Sequence, residues 1–71
     1  MEKWELLASS PTEEGVKKIV VDSYFMGSPT IFFTQEKEYI AVWNSRGILP
    51  HYRIIKKGRR FRFETKKEVK K

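Results

Sequence analysis

Cysteine is absent from this chain, which removes disulfides, zinc–thiolate sites and thiol chemistry together. His51 is the only histidine and Asp22 the only aspartate, so no Ser-His-Asp set assembles and no carboxylate pair flanks the imidazole. His51 follows Pro50 near a turn and reads as a solvated loop residue. No metal-ligand spacing surrounds it, and no motif for a cofactor or a small-molecule substrate is visible. The expectation is a protein that is not an enzyme and uses no metal or cofactor. Apolar runs are short, and nothing approaches the roughly 20 residues that a membrane-spanning helix needs. The first residues, Met-Glu-Lys-Trp-Glu, contain no apolar signal core, which predicts a cytoplasmic location away from membranes. Side-chain amides are also scarce: Asn44 and Gln35 are alone, while Glu and Lys are abundant, a balance that hyperthermophile proteomes tend to show.

The 71 residues that are there suit one small domain with a thin core. Charged residues make up 34% of them, against about 25% in an ordinary soluble domain. Residues 3 to 8 read as a strand with Trp4 and Leu6 on one face. Ser10-Pro11-Thr12-Glu13 then fits a capping box, with serine as cap, proline in the first helical position and glutamate two residues later. Met26-Gly27-Ser28-Pro29 supplies a helix stop. Between these marks Val16, Ile19, Val20, Tyr24 and Met26 fall on one helical face, whereas Val21 and Phe25 fall off it and are expected to be partly exposed. The same stretch is rich in β-branched and aromatic residues, so the alternative is a strand here and an all-β small barrel.

Residues Thr30–Thr34 and Glu38–Trp43 form a hairpin signal, Asn44–Gly47 a turn, and Ile48–Lys57 and Arg59–Glu64 a second hairpin. Pro50 marks an edge or bulge position. The predicted fold is α+β: one helix packed on a small antiparallel sheet in the order β-α-β-β-β-β. It comprises residues 1–64, followed by a basic tail, 65–71, read as disordered. Trp4, Phe33, Phe61 and Phe63 are assigned to the core.

Charge is divided unevenly along the chain. Residues 1–45 carry four basic and seven acidic side chains, whereas residues 46–71 carry eleven basic and two acidic. All five arginines lie between 46 and 62. Pairing the last hairpin around a two-residue Lys57-Gly58 loop, or a four-residue loop centred on it, sets Ile54 opposite Phe61, Tyr52 opposite Phe63, and Arg53 opposite Arg62. Tyr52, Ile54, Phe61 and Phe63 then make a core stripe, and Arg53, Lys57, Arg60 and Arg62 share the other face. A like-charge Arg53–Arg62 pair would be relieved by an anion lying across it, and guanidinium forks match phosphate geometry.

The expected function is therefore non-enzymatic nucleic-acid binding through this arginine-rich face. A plasmid-, virus- or chromosome-associated accessory protein of a thermophilic prokaryote would suit the size and composition. Arg53, Lys57, Arg60, Arg62 and Arg46 would contact phosphate, with Tyr39 and Trp43 near the ligand and Ala41 between them leaving room for something planar. The alternative is a small interaction or assembly module, a homodimer through an exposed sheet face carrying Phe32, Tyr39 and Trp43.

Overall fold

The structure, a computed structural model, describes residues 2–68. Its elements are β1 (Glu2–Ser10), α1 (Glu13–Ile19) continued by a π-helical turn (Val20–Tyr24), β2 (Phe32–Gln35), β3 (Ile40–Asn44), β4 (Gly47–Lys57) and β5 (Arg60–Glu68). This is the α+β arrangement, with one helix on a five-stranded antiparallel sheet ordered β1-β5-β4-β3-β2. The sheet is open, so the barrel alternative does not hold. β1 and β2 are its two edges, and the helical segment that joins them in sequence crosses from one edge to the other over a single face. Among the described residues, no other element covers the opposite face of the sheet.

The helix begins two residues later than the capping-box reading placed it. Ser10 ends β1, and Thr12 is the cap, its Oγ1 accepting the Gly15 N–H at 3.0 Å. Ser10 Oγ accepts the Thr12 N–H at 3.4 Å, so the serine serves the turn before the helix. Glu13 pairs with Lys17 on the first turn, at 2.6 Å.

The π turn reassigns which side chains face the sheet. It adds a residue to the helical repeat, so the apolar stripe read at 3.6 residues per turn goes out of phase beyond Val20. Val16 and Val20 are fully buried as the stripe requires. Phe25, which the stripe excluded, packs on the core with its ring edge-on to Tyr52 at 5.7 Å. Met26, which the stripe included, is 94% exposed. Tyr24 keeps one edge on Phe63, centroids 5.1 Å apart, and donates its hydroxyl to the Leu7 carbonyl at 2.8 Å. Met26 and Gly27 both take positive φ, +56° and +73°, and this left-handed pair ends the helix.

The core consists of Val16, Val20, Ile40, Val42, Ile54 and Phe63, with Phe33, Phe61 and Tyr52 packed around it. Trp4 is a correction: it pairs across from Lys66 on the uncovered face, together with Leu6 opposite Glu64. A bulge at Leu7 then switches the parity of β1, so Ala8 joins the core side and Ser9 faces outward opposite Arg62. β5 runs four residues beyond the expected boundary, and Thr65 to Glu68 pair with β1 instead of forming a tail. Residues 69–71 of that expected tail lie outside the described residues. Pro50 falls where the β3–β4 register shifts, between Arg53 and Ile48, as a proline within a sheet requires.

Candidate nucleic-acid interface

The β4–β5 hairpin fixes the site, and its turn fixes the hairpin. The loop is Gly58-Arg59, with Lys57 paired to Arg60. Gly58 has φ +64° and occupies the first loop position, as in a II′ turn. A two-residue Lys57-Gly58 loop would instead put Lys57 in the first loop position, where both primed turns require φ > 0. Glycine in the left-handed position therefore moves the register by two residues. Because side chains alternate with period two, the faces survive and the partners change. Tyr52, Ile54, Phe61 and Phe63 still share the helix side, but Ile54 now opposes Phe63, Lys56 opposes Phe61, and Tyr52 opposes Thr65.

On the uncovered face the corrected register removes the like-charge pair. Arg53 lies opposite Glu64, and Arg62 lies opposite Ile55. Glu64 is only 5% exposed and bridges the two arginines. Its Oε1 accepts from Arg53 Nε at 2.9 Å, with Nη2 of the same guanidinium in ion-pair contact at 2.8 Å, and its Oε2 accepts from Arg62 Nε at 3.1 Å. The two guanidiniums are held by a carboxylate between them, so no external anion is needed to relieve their repulsion. Arg53 is further fixed by its guanidinium carbon, 3.9 Å from the Trp4 ring centroid. Arg60 donates to Ser9 Oγ at 3.2 Å and stays exposed, as does Lys57 beside it. Lys57, Arg60 and Arg62 lie toward the β4–β5 turn, with Arg53 farther along β4. Arg46 sits apart, exposed in the β3–β4 turn at the other end of the strand.

The far end of the same face is apolar. Phe32, Trp43 and Ile48 form a cross-strand row over β2, β3 and β4, with Phe32 55% and Ile48 44% exposed. Trp43 Nε1 donates to Thr34 Oγ1 at 2.7 Å, which fixes the indole against β2. Between the apolar row and the cations lies a concavity of about 230 Å³, walled by Trp4, Tyr39, Ile48, Pro50 and Arg53 with Ala41 among its lining residues. Tyr39 and Ala41 thus border one cleft, while Trp43 stands outside it.

Two residues of this site escaped sequence reasoning. Trp4 has the parity of Leu6, which was legible, but which face that parity reaches depends on pairing with β5. Glu64 was one of only two acids in the basic half of the chain, and its isolation among arginines was the available signal.

His51 is exposed on β4, and its carbonyl accepts the Thr65 hydroxyl at 3.1 Å. Among the described residues no cluster of His, Asp or Glu is arranged to hold a metal ion, and no helix is long and apolar enough to cross a membrane. Comparison with protein-family models, with curated proteins and with solved structures finds no match to this chain.

Proposed function

We propose that this protein is a non-enzymatic nucleic-acid-binding domain whose uncovered sheet face meets the phosphate backbone at the β4–β5 end. The observation that carries this reading is the sidedness of the sheet. The helix covers one face, and on the other Lys57, Arg60 and Arg62 gather at one end without a helix over them. Lys57 and Arg60 are exposed, and Arg62 gives Glu64 only its Nε, which leaves its terminal nitrogens for an anion. Arg53 is held by Glu64 and Trp4 and acts as a support for the face. Arg46, at the opposite end, does not belong to the same phosphate track.

The test is fluorescence anisotropy with a labelled DNA duplex over a salt series. With three phosphates neutralised, log affinity falls against log salt with a slope of about −2.7, from about −0.9 per phosphate. No binding at about 50 mM salt overturns the reading. The Lys- and Glu-rich, amide-poor composition supports a thermophilic source and an accessory role on a plasmid, virus or chromosome. A melting midpoint above about 80 °C, beyond the usual mesophile range of about 45–65 °C, is the expected outcome.

A second reading has its own observation. The exposed Phe32–Trp43–Ile48 row is an apolar strip that a homodimer would hide, and sedimentation velocity reads it directly.

A further inference from the structure

We infer that the uncovered face selects single-stranded nucleic acid, with one unstacked base entering the cleft between Trp4 and Tyr39 while the neighbouring phosphates lie toward Lys57, Arg60 and Arg62. This rests on the nucleic-acid reading above and adds the form of polymer that the face accepts.

The division of the face into two chemistries carries the inference. Its β4–β5 end is cationic, its opposite end is the apolar row of Phe32, Trp43 and Ile48, and the cleft lies between them. A duplex presents phosphates outward and keeps its bases in the stack, so it can satisfy only the cationic end. A single strand presents both a charged backbone and free π-faces, and it can satisfy both ends at once.

The cleft has the form a planar ring needs. Ala41, the smallest side chain on its strand, lies opposite Arg53 in the pairing of β3 with β4, and larger side chains stand around it. Arg53 is immobilised by Glu64 on one side and by the Trp4 ring on the other. A guanidinium plane and the Trp4 ring, held against each other before binding, avoid the ordering cost that flexible stacking partners incur.

Charge decides between this occupant and a second copy of the chain. Arg53, Lys57, Arg60 and Arg62 share the face with one carboxylate, Glu64, among the residues paired in this hairpin. Two such faces brought together would desolvate like charges, whereas a polyanion neutralises them.

The experiment compares a thymidine oligonucleotide with a duplex of equal length, read by anisotropy and by intrinsic fluorescence. Both tryptophans of the chain, Trp4 and Trp43, lie on this face, so their emission reports on it alone. The expected result is tighter binding of the single strand, with quenching. Tyr39→Ala, which removes a half-exposed wall, and Ala41→Leu, which fills the cleft, should each weaken single-strand binding by about tenfold, within the range for losing one stacked base, and leave duplex binding within about twofold. If Ala41→Leu does not fold, by circular dichroism, Tyr39→Ala carries the test. Equal affinity for both forms, with Tyr39→Ala changing neither, overturns the base cleft and leaves the phosphate reading standing. Absence of binding to either form overturns both. A stable dimer whose tryptophan emission ignores the oligonucleotide also overturns the cleft, since a second copy then covers the face.

Discussion

Glu64 is the residue on which both the stability and the charge of the uncovered face turn. A carboxylate that is 5% exposed persists only because each of its oxygens has its own guanidinium. Both arginine side chains remain about a third exposed or less, 27% for Arg53 and 34% for Arg62, so the network is neither a surface pair nor a fully buried one. Glu64→Gln is expected to lower unfolding stability by about 2 kcal/mol, below the range of about 3–5 kcal/mol for breaking a fully buried pair. The same change releases two guanidiniums, so affinity for nucleic acid should rise while stability falls. Urea unfolding and anisotropy on the same variant check the opposite signs. Arg53→Ala should cost more stability than Arg62→Ala, because Arg53 brings two nitrogens within 2.9 Å of Glu64 and also covers Trp4. Removing both arginines strands the carboxylate and destabilises the fold, the reverse of what a repulsive Arg53–Arg62 pair would imply.

Among the elements, the short helix is where local rules and tertiary context disagree most. By helix propensity Gly15→Ala should stabilise by about 0.5–1 kcal/mol. Here a Cβ at position 15 would clash with Ser10 Oγ and stand 2.8 Å from Thr12 Oγ1, the two oxygens that organise the start of the helix. Gly15→Ala is therefore expected to destabilise by about 1 kcal/mol, comparable with the loss of a cap, and thermal unfolding reads the sign. Met26 provides the converse case. It holds φ +56° with its side chain 94% exposed, so Met26→Gly gives up little packing and relieves left-handed strain. A gain of about 0.5 kcal/mol is expected, the strain relief being partly offset by the greater freedom of glycine in the unfolded chain. The helix itself was legible from its periodicity and its two ends. The π turn was not, because nothing in a 3.6-residue stripe signals one added residue, and Phe25 and Met26 exchanged roles as a result.

Over the whole molecule, the crossing of the helix from edge strand to edge strand makes one face core and leaves the other without a helix over it. Charge on that face then acts as a unit. Replacing Lys57 and Arg60 together by alanine should flatten the salt dependence of binding by about 1.8 units in slope. Unfolding stability should stay within about 0.5 kcal/mol, because both side chains are exposed and lie outside the Glu64 network. A slope unchanged in that variant would place the binding charge elsewhere.

Binary pattern, turn residues and charge counts determined the fold class, the strand number and the side-chain parity of the last hairpin, because each is set by neighbours within a few positions. The concentration of arginine between residues 46 and 62 was likewise plain. Tertiary structure alone decided the partners. A two-residue register shift, set by the left-handed requirement at Gly58, preserved every face and yet put Glu64 where Arg62 had been expected. The pairing of β1 with β5 carried Trp4 from the expected core to the uncovered face and drew Thr65 to Glu68 into the sheet. Parity is a local property of a strand, whereas the residue found opposite depends on a turn conformation and on a strand more than fifty residues away.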